Sequence, residues 1–442
     1  MRQRRFTAAA AVSVATLLAV TACGGGSSAA GDDGSPKTVP TTRGEGRTLT
    51  VWVMDGDYTD ATVKAINDQF TQATGAQVDV QTQQWESITT KISTALSTTG
   101  TPDVLDLGNT QVPGFAANGG LLDLTSYRAD LQQGRTWLAG LEEPATVDKA
   151  LYAVPGFAGA RAVIYNKKTW AAAGVTAAPT TYAELTAALD KVKAKNPAAD
   201  FSPFYLPGQY WYAGMQFIWD AGGDIATKDG GTWKGGFSSA AGQKGLTDFK
   251  TFQNTYSTKA SQAIDTITPD QNQVFADGKT SAILSTAGSL GLIQKANPQI
   301  KPEDLGTFPL PGVSGKAQPV MLGGSDWGIA TKSDTPELAL QWVKIAAGPA
   351  VQDKNVFGND GWIPNSTQGI QAAQAGVDEL KKGFFAAALN SKATPAAAEW
   401  PTLEGDKSIN QVFSAVVSGA KSPADAAKEF DSHLESTLAG GK

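Results

Sequence analysis

The residue types that carry most enzyme chemistry are scarce in this chain, whereas carboxylates are abundant. Its 442 residues contain one cysteine, Cys23, and one histidine, His433, against 42 Asp and Glu residues. A zinc site of the usual His and Cys type, a cysteine nucleophile and a Ser-His-Asp triad are therefore disfavoured, and no metal or cofactor is expected. Composition leaves open a catalytic carboxylate pair, such as Asp55 and Asp326.

The single cysteine closes an N-terminal segment with the features of a secretory signal. Arginines at positions 2, 4 and 5 precede an uncharged run, 6–22, that ends in small residues directly before Cys23. A basic head, a short apolar stretch and a small-residue cleavage site predict a signal peptide over 1–22, because the run is too short to span a membrane. Residues 20–23 resemble the lipobox of bacterial lipoproteins, which implies that the thiol of Cys23 carries a lipid. The alternative is a plain signal peptide with an incidental cysteine.

Composition separates a tether from a folded body after this cysteine. Residues 24–47 are mostly Gly, Ser, Asp, Pro and Thr, so 23–47 is predicted to be a lipidated cysteine followed by a disordered tether. The roughly 395 residues that follow are too many for one core and predict two domains. A formal net charge of −6 disfavours nucleic acid as a partner.

The elements that would position functional side chains alternate along the body. Residues 48–54, 77–80 and 102–107 have the β-rich composition of strands. Apolar residues recur at helical spacing in the two segments between them. Strand, helix, strand, helix, strand predicts an α/β fold with a parallel sheet and helices packed on it.

Four blocks in the body carry a family resemblance. They are FTQATG at 70–75 with TPDV at 101–104, YAVP at 152–155 with IYNK at 164–167, FADGKTSA at 275–282, and LGG at 322–324 with GIA at 328–330. In this order and spacing they resemble the extracellular solute-binding proteins of ABC importers, in the carbohydrate-binding group that includes maltose-binding protein.

The resemblance implies an α/β fold of two hinged lobes, each a mainly parallel sheet flanked by helices, with the ligand between them. Lobe one would comprise 48–157 plus 309–350, and lobe two 158–308 plus 351–442. The implied partners are a small carbohydrate, the transmembrane subunits of an ABC permease and, through acylated Cys23, membrane lipid on the outer face of the cell membrane. The protein is expected to act as a monomer and to have no catalytic activity.

Planar hydrogen-bonding groups suit the hydroxyl rim of a sugar, and flat aromatic rings suit its C–H faces. The family positions, together with the residues that follow the predicted strands, imply a set of ligand-binding candidates. These are Met54, Asp55, Gln84, Trp85, Gly108, Asn109, Thr110, Gln111, Phe157, Arg161, Trp211, Tyr212, Gly324, Ser325, Asp326, Trp327 and Trp362.

Several candidates have structural alternatives. Asn109 and Thr110 suit a turn or a helix cap, Trp85 suits a core, Trp327 suits a buried position beside a tight turn, and Arg161 suits a salt bridge between lobes. The chain also departs from the family at 287–290, where Ala-Gly-Ser-Leu stands and members often carry a tryptophan. One stacking face is therefore missing or is supplied by Trp211 or Trp327.

Three classes of function are compatible with the sequence. The favoured one is a sugar-binding lipoprotein that delivers its ligand, a di- or oligosaccharide, to a permease. The second is a secreted glycosidase with a carboxylate pair. The third is a binding protein for a peptide, a polyamine or a phosphodiester, for which Arg161 would supply the charge to hold an anion.

Overall fold

The computed structural model of the protein describes residues 35–98 and 100–440. The predicted signal peptide 1–22, Cys23 and the first part of the tether lie outside the described residues. None of the helices in the described part of the chain combines the length and the apolar character that a membrane span requires.

The strands of the described residues are β1 Thr48–Met54, β2 Gln77–Gln83, β3 Val104–Gly108, β4 Thr146–Val147, β5 Ala150–Leu151, β6 Ala153–Gly159, β7 Arg161–Asn166, β8 Ala226–Asp229, β9 Thr232–Gly235, β10 Ala282–Thr286, β11 Leu305–Phe308, β12 Val320–Met321, β13 Gly323–Ile329, β14 Ile363–Pro364 and β15 Ser391–Lys392.

The α-helices are α1 Asp60–Thr74, α2 Ile88–Ser97, α3 Val112–Ala117, α4 Arg128–Gln132, α5 Ala139–Glu142, α6 Lys167–Ala172, α7 Tyr182–Lys195, α8 Trp211–Asp220, α9 Ala240–Tyr256, α10 Gln271–Ala276, α11 Gly288–Ala296, α12 Pro336–Ala346, α13 Pro349–Val351, α14 Thr367–Ala373, α15 Lys382–Ala388, α16 Trp400–Gly405, α17 Ser408–Ser418 and α18 Pro423–Leu438.

Lobe one is built on a six-stranded sheet with the order β14-β6-β13-β3-β1-β2. As the sequence predicts, β1 pairs in parallel with both β2 and β3. The other three pairings are antiparallel: β13 runs against β3 and β6, and β14 runs against β6. Four of the six strands, β1, β2, β3 and β6, therefore run in one direction, and β13 and β14 run in the opposite one.

Lobe two is built on the three-stranded sheet β10-β7-β11, in which both outer strands run antiparallel to β7. The expectation of a mainly parallel sheet is therefore wrong for these pairings of lobe two. Successive side chains of β7 point to opposite faces, so Val163 and Tyr165 enter one core and Ala162 and Ile164 enter the other. The C-terminal helices α17 and α18 pack in the first of these cores.

The chain passes between the lobes later than the sequence indicates. Residues 309–322 were expected in lobe one, yet Leu310 and Met321 pack in the first core of lobe two. The chain enters the lobe-one sheet at Gly323. Val351 and Val356, expected in lobe two, belong to the core of lobe one.

The last part of the expected tether is packed against lobe one. Val39 is buried and its backbone N–H donates to Asp130 Oδ2 at 2.8 Å. The Gly44 N–H donates to the Thr74 carbonyl at 2.8 Å, and a Cβ at Gly44 would lie 2.9 Å from a methyl group of Leu338. The folded body thus starts before Thr48, because isolated residues in this polar segment still find partners.

Candidate functional site

A cavity of about 450 Å³ opens where the two lobes meet. Lobe one contributes Asp57, Trp85 and Ser325 to its lining, and lobe two contributes Arg161, the segment 286–288 and residues of α15. The crossing segments 157–161 and 361–363 form the base between them. A concave site of this size, with few polar groups among apolar ones, is typical of small-molecule binding.

Asp57 organises the lobe-one wall of the cavity. Ser325 Oγ donates to its Oδ2 at 2.6 Å, and Trp85 Nε1 donates to its Oδ1 at 3.3 Å. Trp362 Nε1 donates to the Asp57 backbone carbonyl at 2.7 Å. Burial raises the pKa of Asp57, against the lowering effect of the hydrogen bonds from Ser325, Trp85 and Asp106. One residue thereby fixes two tryptophans.

The turn after β1 explains why Asp57 reaches the cavity while Met54 and Asp55 do not. Gly56 has φ +88°, and the Asp57 N–H donates back to the Met54 carbonyl at 3.2 Å. This reversal places Asp57 over the end of the sheet. Met54 is buried and Asp55 is exposed, and both line a separate groove with Lys64. The structure therefore does not bring Met54 and Asp55 to this cavity.

Two tryptophans offer faces to the cavity. Trp85 follows β2 and keeps 40% of its surface exposed. A Cβ at Gly108 would lie 3.5 Å from Trp85 Cη2, an ordinary van der Waals distance, so the ring lies close to the end of β3. Trp362 is half-buried and stacks on Phe157 with ring centroids 4.6 Å apart.

Trp327 is a core residue and not a stacking platform. It is 1% exposed, stacks on Tyr58 at 5.0 Å and meets Trp342 edge-on at 4.8 Å. Phe157 contacts Tyr58 edge-on at 5.3 Å, so an aromatic row runs from Trp362 at the cavity into the core. The platform prediction for Trp327 is wrong, because β13 is a central strand with neighbours on both sides.

Asp326 is also a core residue. It is fully buried, and neither of its side-chain oxygens has a hydrogen-bond partner within the described residues. Burial raises the pKa of this carboxyl well above its ordinary value. Asp55 and Asp326 therefore do not face a common cavity, which contradicts their use as a catalytic pair. Among the described lining residues, Asp57 is the one carboxylate.

Arg161 supplies positive charge on the lobe-two side. Its Nε donates to Tyr210 Oη at 3.1 Å, and its guanidinium carbon lies 3.7 Å from the centre of the Tyr212 ring. Tyr212 in turn stacks on Trp211 at 3.9 Å. Trp211 is 6% exposed, and neither it nor Tyr212 lines the cavity. Tyr212 therefore supports Arg161 and Trp211 supports Tyr212, and the structure does not bring either ring to this cavity.

The polar residues predicted after β2 and β3 have structural contacts and do not line the cavity. The Asn109 amide is buried and donates to the carbonyls of Gly140 and Leu322 at 3.2 and 3.0 Å. Gln111 Nε2 donates to Thr89 Oγ1 at 3.0 Å. Gln84 is exposed, and Thr110 and Gly108 are half-buried. The Asn109 side chain thus joins segments that are distant in sequence, which is neither the expected ligand contact nor the turn or cap alternative.

The structure thus brings together six of the predicted residues: Trp85, Phe157, Arg161, Gly324, Ser325 and Trp362. Gly324 is required where it stands, since a Cβ would lie 2.1 Å from the Phe157 carbonyl oxygen. Sequence reasoning missed Lys381, Phe384 and Phe385, for which no motif gave a signal. The segment 286–288 could have been found, because it adjoins the place where the chain departs from the family.

Comparisons with known proteins agree with this geometry. The family model described as bacterial extracellular solute-binding protein matches residues 55–353. The diacetylchitobiose binding protein DasA of Streptomyces coelicolor is 34% identical over 437 residues, which cover 97% of this chain and 98% of that relative.

Solved structures are similar at lower identity. The sugar-binding protein MalE from Xanthomonas citri has a TM-score of 0.76 at 23% identity and covers 89% of this chain and 98% of its own. The maltose complex of MalE from Listeria monocytogenes has a TM-score of 0.76 at 18% identity, with 90% and 99% covered. These neighbours establish the two-lobed fold. With the family match over most of the chain, they confirm the resemblance drawn from the sequence: the chain belongs to the family of bacterial extracellular solute-binding proteins.

Proposed function

We propose that this protein captures a short oligosaccharide between its lobes and delivers it to an ABC permease without chemical change. The observation that carries the proposal is the arrangement around Asp57, which holds Trp85 and Trp362 at the cavity through its side chain and its backbone carbonyl. Aromatic faces beside a fixed hydrogen-bonding group are what a sugar requires. The cavity volume of about 450 Å³ falls in the range of small-ligand sites, about 300–1,000 Å³.

An N-acetylated disaccharide is the first ligand to test. The relative that matches this chain end to end is named for binding diacetylchitobiose, and the cavity combines aromatic faces with the charged donors Arg161 and Lys381. The proposed ligand-contacting residues are Asp57, Trp85, Arg161, Ser325, Trp362 and Lys381.

The test is isothermal titration calorimetry of the purified protein without its signal peptide, with diacetylchitobiose, cellobiose and maltose as ligands. A thermal-shift measurement accompanies it. A bound ligand raises stability by RT ln(1 + [L]/Kd), so the two readouts must agree. Binding of one saccharide and its recovery unchanged support the proposal. Absence of a shift with all saccharides, but a shift with a peptide, a polyamine or a phosphodiester, would transfer the site to that class. Appearance of monosaccharide products would make the protein a glycosidase.

The attachment proposed for this function is a lipid on Cys23, which lies outside the described residues. Two acyl chains give stable membrane attachment, whereas one chain is marginal. Cys23→Ala in the full chain should release the protein from the membrane fraction or leave its signal peptide uncut. Membrane retention equal to that of the parent protein would contradict the lipoprotein proposal.

A further inference from the structure

Lys381 is a charged donor in the cavity without a protein partner. It precedes α15, is half-buried and lines the cavity. Its Nζ lies 2.9 Å from the place that a Cβ at Gly361 would occupy, so the ammonium group sits beside the backbone of the crossing segment. No described residue forms a hydrogen bond or an ion pair with this Nζ. The neighbouring Lys382, by contrast, pairs with Glu379 at 2.5 Å.

The surroundings of Lys381 are apolar. Phe384 and Phe385 follow it by one helical turn, and Ile363 lines the same part of the site. Phe384, Phe385 and Ile363 share one core cluster, against which Ala287 packs. Ala287 and Gly288 also line the cavity, and their small side chains occupy little of it.

A cation in such a place needs an acceptor when ligand excludes water. An unpaired buried charge is costly, and a hydrogen bond to a charged group contributes more than a neutral one. A sugar hydroxyl can accept a hydrogen bond from the ammonium group, but it has no apolar group to pack against the apolar side chains. An acetamido group offers both an amide carbonyl oxygen for the ammonium and a methyl group for the phenylalanines and Ala287.

We infer that Lys381 determines specificity by donating a hydrogen bond to the acetamido carbonyl of an N-acetylated sugar. The inference rests on the proposed function, because it places that sugar in the same cavity. The inference adds one residue and one substituent to that function: Lys381, from lobe two, recognises the acetyl group in the cavity that Trp85 also lines.

The test compares Lys381→Met with the matched control Lys382→Met. Methionine keeps an unbranched apolar stem and removes the charged donor. Calorimetry is run with diacetylchitobiose and with cellobiose, which has the same linkage and hydroxyls in place of the acetamido groups. The parent protein should prefer diacetylchitobiose. Lys381→Met should weaken that ligand by about ten- to a hundredfold and leave cellobiose nearly unchanged, while Lys382→Met should change neither.

The possible outcomes distinguish the role of Lys381 from saccharide binding itself. Equal losses for both saccharides, or no loss, would overturn the role of Lys381 and leave sugar binding intact. Failure of the parent protein to bind diacetylchitobiose while it binds another saccharide would overturn the N-acetyl ligand and the inference with it. Stronger binding of a disaccharide with a carboxylate, lost in Lys381→Met, would reassign the ammonium to acidic sugars. A fall in melting temperature for Lys381→Met would be resolved with Lys381→Gln, which must show the same selective loss.

Discussion

Replacing Trp85 by alanine should weaken ligand binding without unfolding the protein. The ring keeps 40% of its surface exposed at the cavity, and covering a whole tryptophan removes about 250 Å² from water. About 100 Å² is then left for a ligand to cover, which at about 25 cal/mol per Å² gives about 2.5 kcal/mol, or roughly sixtyfold in Kd. The fold should lose little, because Trp85 is exposed and belongs to none of the core clusters of the described residues.

Trp327→Ala should instead lower the stability of the protein, because Trp327 is buried where Trp85 is exposed. This ring is 1% exposed and packs between Tyr58 and Trp342. Truncation of such a residue costs about 3–5 kcal/mol of unfolding free energy. Denaturant unfolding and calorimetry on both variants would separate affinity from stability. Trp85→Phe adds a third point, since it keeps a stacking face and removes the 3.3 Å hydrogen bond to Asp57.

Two results would contradict the roles given to Trp85 and Trp327. If Trp85→Ala binds within about threefold of the parent protein, its exposed face is not covered by ligand. If Trp327→Ala keeps the parent melting temperature but loses binding, Trp327 contacts ligand in a conformation other than this one. Trp85→Phe should recover most of the affinity, and a failure to do so would assign the role of Trp85 to its Nε1 donor.

Three further outcomes are expected. Asp57→Asn should weaken sugar binding by about tenfold, because an amide group replaces one of the two oxygens that accept from Ser325 and Trp85; unchanged calorimetry would remove Asp57 from the site. Burial raises the pKa of Asp326 in the folded state, so this group destabilises the fold progressively as the pH rises above the pKa of an unfolded aspartate. Asp326→Asn removes that penalty and should raise the melting temperature most at pH 8 and least at pH 5. An equal rise at every pH would contradict this. Saturating ligand should reduce the radius of gyration measured by X-ray scattering if the lobes close, whereas an unchanged curve would indicate a rigid site.

Local signals predicted much of the fold because they depend on neighbours in sequence. The parallel strands β1, β2 and β3 follow from short β-rich runs separated by helical stripes. The spacing of Thr181 and Glu184 is typical of a capping box, and α7 opens with one, in which the Glu184 N–H donates to Thr181 Oγ1 at 3.2 Å. Thr335 shows where a local signal is overridden: its hydroxyl donates to Asp103 at 3.1 Å and does not cap α12.

The site was harder to predict because it depends on pairing across long sequence separations. The run Gly323–Trp327 has the composition of a turn, yet it is the start of β13, and burial on both sides removes Asp326 and Trp327 from solvent. Lys381 gave no signal, since only the approach of Gly361, twenty residues earlier, places its ammonium in the cavity. Trp85 was predictable because polar residues flank it on an exposed strand end.

The crossing segments link ligand contact to the angle between the lobes. Buried amides tie them together: Gln352 Nε2 donates to the Gly156 carbonyl and Asn365 Nδ2 to the Pro155 carbonyl, each at 2.8 Å. The Asn365 N–H donates to Gln352 Oε1 at 3.0 Å. We therefore expect this junction to move as one piece with lobe one.

We expect any rotation between the lobes to occur beyond that junction, where β6 continues into β7. Phe157 packs in the core of lobe one and Ala162 in a core of lobe two, with Gly159 between them. Asp57 and its tryptophans would stay fixed to one body, while Arg161 and Lys381 travel with the other. If the lobes close on ligand, a saccharide held on the lobe-one platform would come nearer to these two charged donors. Contacts that strengthen on closure would supply the differential affinity that shifts the population towards the closed arrangement.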